Sequence, residues 1–338
     1  MSIKVAINGF GRVGRLAFRQ IFDSDGYEVV AINDLTDATM LAYLLKHDST
    51  QGRYKLADEV EAGEDYISVS QKKINIYKEA DASKLPWGQL GVDVVLECSG
   101  AYLSKAKSQA HIDAGAKKVV ISNPAGKDIP TIVFGINEKS LSPDDKIISA
   151  ASCSTNCLAL MAKSLNDYAP IQSGISTTIH AFTATQMIVD DPQRKGNLRR
   201  SRSAPINIVP TTAEAAKAIG LVIPELAGKL SGSAQRVPVA AGCLIIFIAV
   251  VNGKDITVES INAAMKACSS DSFGYTEEEF VSSDIIGITY GALFDATQTM
   301  VNKIEDDTYQ IQITAWFDNE NSYVSQMVKT TQYFAKLS

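Results

Sequence analysis

The sequence predicts an α/β protein in two parts: a mostly parallel sheet flanked by helices, then an α+β unit built on a mixed, largely antiparallel sheet. Three observations predict it. Up to about residue 150, short β-branched runs alternate with stretches of helical periodicity. Beyond that point the strands lengthen and the helices thin out. The length, 338 residues, also exceeds what one core usually serves. The expected division is residues 1–150 with 319–338 as one domain and 151–318 as the other.

In chain order, strands are expected at 3–8, 28–32, 92–97, 118–122, 131–135 and 146–150, with helices over 12–22, 36–46 and 103–114 between them. The segments 66–70 and 74–77 read as short antiparallel strands forming an excursion at one edge. From Ser154 to Asp167, the spacing of Cys157, Leu158, Met161, Ala162 and Leu165 predicts a helix. The second part is expected to hold strands at 172–180, 237–251, 288–294 and 308–317, with helices 211–219 and 257–268 over one face. A final helix over 320–336 can return to the first domain. The longest apolar run, Val239 to Val251, has 13 residues, too few to cross a bilayer, and reads as a buried strand.

Composition excludes several classes. With 46% hydrophobic and 21% charged residues, the chain can bury a core and is not a disordered segment. A net charge of −6 argues against nucleic acid as the primary partner. The one basic run, Arg194, Lys195, Arg199, Arg200 and Arg202, reads as a solvated loop or as a contact for a phosphate-bearing ligand or a partner subunit. Five cysteines, an odd number without framework spacing, fit a reducing compartment. Cys153 and Cys157 lack the second ligand pair of a zinc site, so no metal is expected. No charged and apolar leader precedes the first strand, and a cytoplasmic location is expected.

The N-terminal strand runs into Asn8-Gly9-Phe10-Gly11-Arg12-Val13-Gly14, a G-x-G-x-x-G fingerprint followed by an apolar helical pattern at Val13, Leu16, Ala17 and Ile21. Gly9 suits the tight turn, Gly11 the approach of a pyrophosphate to the helix start, and Gly14 close packing of helix on strand. Glu28 to Asn33 forms the second strand and ends at Asp34, 20 residues past Gly14. A carboxylate there can hold the adenosine ribose hydroxyls and repel a 2′-phosphate, so NAD is expected rather than NADP. Ser99, Gly100 and Ser122 stand at the carboxyl ends of later strands, where ligands of open α/β sheets bind, although small residues there are often only turn formers.

A second constellation is Ser149-Ala-Ala-Ser-Cys-Ser-Thr-Asn-Cys157, with His180 in a strand-like setting downstream. Cys153 falls at a strand-to-helix turn. The helix N-terminus and a nearby imidazolium would favour the thiolate, and a lowered pKa would make Cys153 a nucleophile. Taken alone, such a cysteine is more often a small buried hydrophobe. His47 and His111 are expected in solvated or packing roles.

With the fingerprint, the Cys153 segment and Thr178-Ile-His-Ala-Phe-Thr-Ala-Thr-Gln186 together, the chain resembles phosphorylating glyceraldehyde-3-phosphate dehydrogenases of the bacterial type over essentially its full length. Further matching stretches are Asn33 to Leu35, Leu198 to Arg202, Leu221 to Leu226, Gly228 to Gly232, Arg236 to Pro238 and Ala315 to Glu320. The resemblance implies a Rossmann-type NAD domain and a catalytic domain. It implies Cys153 as the nucleophile and His180 as its base. The product would be an acyl phosphate, formed by attack of inorganic phosphate on a Cys153 thioester. Arg12 and Val13 would cover the pyrophosphate, Asp34 and Leu35 the adenosine, and Asn319 with Tyr323 the nicotinamide. Asn319 could instead cap the final helix. Thr183 and Arg236 match the site for the phosphate of glyceraldehyde 3-phosphate; Ser152, Ser154 and Arg199 match the site for inorganic phosphate. A homotetramer is implied.

The sequence departs from the family at Ala213 and Glu214, where Thr-Gly is usual. A carboxylate about 6 Å from a phosphate dianion opposes it by roughly 5 kcal/mol at an effective dielectric near 20, before screening. Alternatively, Glu214 lies on an exposed helix face and pairs with Lys217. Val239 to Ile246 is also more apolar than usual. Competing expectations are a related phosphorylated-aldehyde or semialdehyde dehydrogenase, such as one acting on erythrose 4-phosphate or aspartate semialdehyde, and a non-enzymatic paralogue that acts as a binding protein.

Overall fold

The computed structural model describes residues 2–22 and 24–337. Its chain divides into two units, Met1–Ser152 with Val324–Ser338, and Cys153–Tyr323.

In the first unit the elements run β1 (Ile3–Asn8), α1 (Arg12–Ile21), β2 (Tyr27–Asn33), α2 (Ala38–Lys46), β3 (Val60–Ala62), β4 (Tyr66–Val69), β5 (Lys72–Tyr77), α3 (Trp87–Leu90), β6 (Val94–Glu97), α4 (Lys105–Asp113), β7 (Lys118–Ile121) and β8 (Ile147–Ser149). The sheet order is β3-β4-β5-β2-β1-β6-β7-β8. All pairings from β5 to β8 are parallel, and only β3 and β4 add antiparallel edges. The central strands are buried on both faces, including all of β6 and Val5, Ala6 and Ile7 of β1, as apolar runs without alternation require. The edge excursion is present, with β3 as an additional strand. No strand forms at 131–135; Thr131 makes only an isolated bridge to Ser149. The C-terminal segment belongs to this unit: Tyr27 Oη donates to Val328 O at 2.8 Å.

The second unit holds α5 (Cys153–Tyr168), β9 (Ile171–Ala181), β10 (Val209–Thr212), α6 (Glu214–Val222), β11 (Leu230–Val237), β12 (Cys243–Asn252), α7 (Val258–Ala267), β13 (Phe273–Thr276), β14 (Ala292–Asp295), β15 (Met300–Glu305), β16 (Thr308–Phe317) and the start of α8 (Asn321–Lys336). Its sheet order is β10-β11-β9-β12-β16-β14-β13, with β15 beside β16. Two pairings, β11 with β9 and β13 with β14, are parallel and the others antiparallel. Burial alternates along β12: Cys243, Ile245, Phe247, Ala249 and Val251 face the core, and the intervening residues do not. Helices α5, α6 and α7 pack together, and α5 lies against β9, β12, β14 and β16.

The run expected as one strand over 237–251 is two. Pro238 has no N–H for a ladder, and Gly242 sits at φ +84°, where a Cβ would lie 2.0 Å from Ser282 O. The chain therefore leaves β11, turns, and enters the sheet again as β12 on the far side of β9. That separation puts residues from both strands beside His180.

Candidate active site

The dinucleotide side lies in the first unit, at the carboxyl ends of its parallel strands. A Cβ on Gly14 would stand 2.2 Å from Gly9 O, so helix α1 approaches the β1 turn as closely as only glycine allows. Space at Gly11 is open. The backbone N–H groups of Phe10 and Thr36 donate to the two oxygens of Asp34 at 2.7 and 3.0 Å, which fixes the carboxylate and leaves acceptor capacity on each oxygen for a ribose. Asn8, Gly9, Gly11, Asp34, Leu35 and Ser99 line one cleft of about 350 Å³, and Gly100 follows at φ +73°. These residues fit a bound dinucleotide. Arg12 instead turns to Asp48, 2.5 Å away, Val13 is half-buried in the first turn, and Ser122 is nearly buried at the end of β7. The more capacious cavity of this unit, about 820 Å³, lies at the opposite end of the strands beside Lys4, Glu28, Asp93 and Lys117 and holds none of the expected residues.

Beneath the cleft lies a buried polar network that the motif search did not find. Glu97, wholly buried at the end of β6, accepts from Ser99 N at 2.8 Å, Ser99 Oγ at 2.5 Å and the Asn8 amide. His111 is equally buried, and both its ring nitrogens are hydrogen-bonded, which corrects the expectation of a solvated or merely packing role. Trp87 Nε1 donates to its Nδ1 at 3.1 Å, so its Nε2–H donates to Glu97 at 3.1 Å. His47 follows α2 and is exposed, with its ring 5.0 Å from the exposed Tyr43 ring, as a solvated role requires.

In the second unit, register assembles the chemistry. Arg236 of β11 is the direct partner of His180 on β9, and Cys243 of β12 is the direct partner of Phe317 on β16. Cys153 is the first residue of α5, reached after Ala151 turns at φ +60°. Its Sγ lies 3.5 Å from His180 Nε2. The imidazole is 6% exposed and packs edge-on to Phe317, centroids 5.9 Å apart. On its other side, Nδ1 lies 2.7 Å from Arg236 Nη1 and 2.8 Å from Ala181 O.

Burial runs against the thiolate that the helix terminus favours. Burial pushes the Cys153 thiol up to about 11, although Arg236 and the Ser154 N–H pull the other way. Burial, reinforced by the Arg236 charge, lowers His180 to about 3. In both groups burial opposes the charged form, and desolvation outweighs the pull of the helix terminus.

Ser152 and Ser154 flank Cys153 and are half-buried. Thr183 Oγ1 lies 2.9 Å from Thr185 Oγ1, which accepts from Arg200 Nη1 at 2.7 Å; Arg200 Nη2 reaches Thr211 at 3.1 Å. Arg200 also adds its charge to the field at His180. Arg199, its neighbour, is exposed. The basic run was readable; which arginine turns inward was not. Ala213 precedes α6 without a side-chain cap, and Glu214 is exposed in its first turn. Among the described residues no ion pair joins Glu214 to Lys217, which corrects that part of the expectation.

Asn319 does not cap α8. Asp318 does so, accepting from Glu320 N and Asn321 N at 2.8 and 3.0 Å. Asn319 Oδ1 accepts instead from Cys243 Sγ at 3.3 Å, and Tyr323 is buried in the first turn of the helix. Among the described residues, no group of side chains could hold a metal ion.

A dinucleotide cleft in one unit and a cysteine–imidazole pair with arginines in the other fit an NAD-dependent dehydrogenase. Residues 3–105 match the NAD binding domain of glyceraldehyde 3-phosphate dehydrogenase, and residues 152–319 match its C-terminal domain. The chain is 56% identical over 335 residues to the glyceraldehyde-3-phosphate dehydrogenase of Clostridium pasteurianum, covering 99% of each. It is 55% identical to that of Clostridium acetobutylicum, with the same coverage, and 52% to that of Streptococcus pyogenes serotype M1, covering 100% of each. The chain belongs to the glyceraldehyde-3-phosphate dehydrogenase family. The other aldehyde dehydrogenases and the binding-protein alternative are not favoured by these full-length relatives.

Proposed function

We propose that the chain oxidises glyceraldehyde 3-phosphate to 1,3-bisphosphoglycerate in glycolysis, with Cys153 as nucleophile and His180 as base. The observation that carries the reading is the 3.5 Å approach of Cys153 Sγ to His180 Nε2 beside Arg236. Sγ attacks the aldehyde carbon while its proton passes to Nε2 and on to the new alkoxide, and a hemithioacetal forms with Nε2 free again. The Cys153 N–H and His180 then hold the former carbonyl oxygen. When bound, NAD is the two-electron acceptor for the oxidation. His180 takes the hydroxyl proton, a thioester remains on Cys153, and a phosphate oxygen attacks it to release the acyl phosphate and restore the sulfur.

Thr183 and Arg236 are assigned to the substrate phosphate. Ser152 and Ser154 are assigned to inorganic phosphate, and the contacts of Arg200 favour it over Arg199 for that role. Asn8 to Gly14, Asp34, Leu35, Ser99, Gly100 and Ser122 are assigned to NAD, with Asn319 and Tyr323 at the nicotinamide. The exposed apolar side chains of Ile188, Val189, Leu198, Ile206 and Ile208 support a subunit contact and hence a homotetramer. The odd cysteine count supports a cytoplasmic enzyme. Among the described residues no helix is long and apolar enough to cross a membrane. The test is NADH formation from glyceraldehyde 3-phosphate with phosphate varied. Turnover that saturates in phosphate supports the proposal; a tenfold preference for another aldehyde in kcat/KM contradicts it.

A further inference from the structure

Glu97 carries a charge that nothing around it cancels. Its side chain is wholly buried beneath the dinucleotide cleft, and four donors meet it: Ser99 N and Ser99 Oγ at Oε1, the Asn8 amide and His111 Nε2 at Oε2. The direction of each bond is fixed from outside the group. At one end the indole N–H of Trp87, which can only donate, points at His111 Nδ1, so the ring is neutral and its single proton sits on Nε2, facing Glu97. At the other end Glu79 N donates to Asn33 Oδ1 at 3.0 Å; Asn33 Nδ2 therefore donates to Asn8 Oδ1 at 2.7 Å, and Asn8 turns its own NH₂ to Glu97. Ser99 Oγ accepts from Ala101 N at 3.1 Å and gives its hydrogen to Glu97. Every contact thus donates into the carboxylate, which leaves no acceptor toward which a proton on it could point. Among the described residues His111 is the one basic side chain within ion-pair distance of Glu97, and that ring is neutral.

A buried net charge held by neutral donors alone is costly, and its field reaches the cleft. Cys98, which lines the cleft, has its thiol raised first by burial and next by the Glu97 charge. The sheet order gives that field a direction. Asp34 follows β2 and the Gly9–Gly14 turn follows β1, whereas Glu97 ends β6, on the opposite side of β1 from β2. A dinucleotide whose adenosine ribose is held at Asp34, with its pyrophosphate over the glycine turn, extends its other half toward β6. That half bears the nicotinamide, a cation when oxidised and neutral when reduced. The pyrophosphate carries the same charge in both forms, so its repulsion by Glu97 cancels when the two are compared.

We propose that the buried carboxylate of Glu97, kept anionic by Trp87 and His111, makes the cleft discriminate by redox state, binding the oxidised cofactor more tightly than the reduced one. The claim rests on the assignment of the cleft to NAD given above and adds to it a residue that touches no ligand. At an effective dielectric near 20, a unit charge roughly 12 Å from a cation changes its binding by about tenfold. The reduced cofactor then leaves more readily than the oxidised one, and the potential of the bound couple lies below that of the free couple. Trp87 and His111 are positioning residues in this arrangement. The indole N–H bars a second proton from the ring, and so prevents an imidazolium that would cancel the Glu97 charge.

Calorimetric titration of the cofactor-free protein with NAD, NADH and ADP-ribose, which lacks the ring, tests this without turnover. The parent should bind NADH about tenfold more weakly than NAD. Equal affinities, or tighter binding of NADH, overturn the proposal, and this comparison needs no variant. Glu97→Gln keeps the size of the side chain and loses its charge, so the NADH-to-NAD ratio of dissociation constants should fall by about tenfold, with ADP-ribose following NADH. A ratio within twofold of the parent, whatever the separate constants do, means that Glu97 only shapes the loop, and the proposal fails. His111→Gln keeps the charge and a donor to it, and should shift all three ligands alike. A ratio that falls as far as in Glu97→Gln would show that geometry sets the preference, which also contradicts the proposal. Asp34→Ala should weaken all three ligands by the same factor; if it leaves them unchanged, the assignment of the cleft to NAD fails instead.

Discussion

The two units solve the same problem of placing charge where water is scarce, and they do so by different means. In the first unit, the carboxylates Asp34 and Glu97 are satisfied by donors at the ends of adjacent strands. Asp34 takes the N–H groups of Phe10 and Thr36, while Glu97 takes both the N–H and the hydroxyl of Ser99, two residues on. Turn geometry does the work, and a charge can be held in advance of any ligand. In the second unit, His180, Arg236, Cys243 and Phe317 come from four strands and meet through register alone. Burial there raises the Cys153 thiol and lowers His180, and Arg200 and Arg236 each keep a buried Nε without a partner. The difference teaches that the nucleotide side is finished before its ligand arrives. The thiol side keeps buried arginine donors without a protein partner.

The largest effect expected from this contrast is at Cys153. Cys153→Ala should lower kcat by about 10⁴-fold or more, the scale seen when a nucleophile is removed. Titration of the same variant should give an NAD dissociation constant within twofold of the parent, because the residues assigned to the pyrophosphate and the adenosine lie in the other unit. A large loss of NAD affinity would break the comparison.

The converse change is Asp34→Ala. Losing a charge-assisted acceptor should raise the NAD dissociation constant by roughly 10- to 100-fold and narrow the preference over NADP. The rate of Cys153 alkylation by iodoacetamide should not move. If both quantities change together, the two regions are not independent.

The buried imidazole makes a prediction for stability. A histidine lowered to about 3 in the folded state, against about 6.5 unfolded, binds fewer protons than the unfolded chain between those values. Its contribution is complete above pH 6.5 and is lost as pH falls, at a limiting slope of about 1.4 kcal/mol per pH unit. His180→Gln should flatten denaturant-derived stability between pH 6 and 4 by up to that slope. Parallel curves for the two proteins would mean that His180 charges freely in the fold.

The smallest effect is expected at Glu214. Its carboxylate is exposed in the first turn of α6, where solvent screens it. Glu214→Gly should lower the phosphate KM a few-fold without changing the aldehyde KM. Unchanged phosphate kinetics would remove Glu214 from the account of the anion site.

What was legible in the sequence follows the same division. Strand, glycines, helix and acid from Ile3 to Asp34 lie close in the chain, and each enforces a local geometry, so their roles could be read without a structure. Cys153 was legible for the same reason, as the first residue of an apolar helix. The electrostatics around it were not, because the burial that raises its thiol is set by strands far away in sequence. Arg200 was hidden beside Arg199 because a basic loop has no periodicity to say which side chain turns inward. Asp318 was missed as the cap of α8 because Asn319, one residue later, is an equally good capping type. The split of 237–251 into β11 and β12 was hidden by the apolar character of Val239 to Ile246, although Pro238 and Gly242 mark the turn. The link from His111 to Glu97 joins a helix to a strand end and leaves no motif.

The most direct test of the central claim is mass spectrometry of the protein mixed with glyceraldehyde 3-phosphate and NAD in the absence of phosphate, followed by addition of phosphate. The account predicts one 3-phosphoglyceroyl group per chain, on the peptide containing Cys153, formed with one equivalent of NADH and removed when phosphate is added. An acyl group on another residue, or NADH formed with no acyl group on the chain, would contradict it.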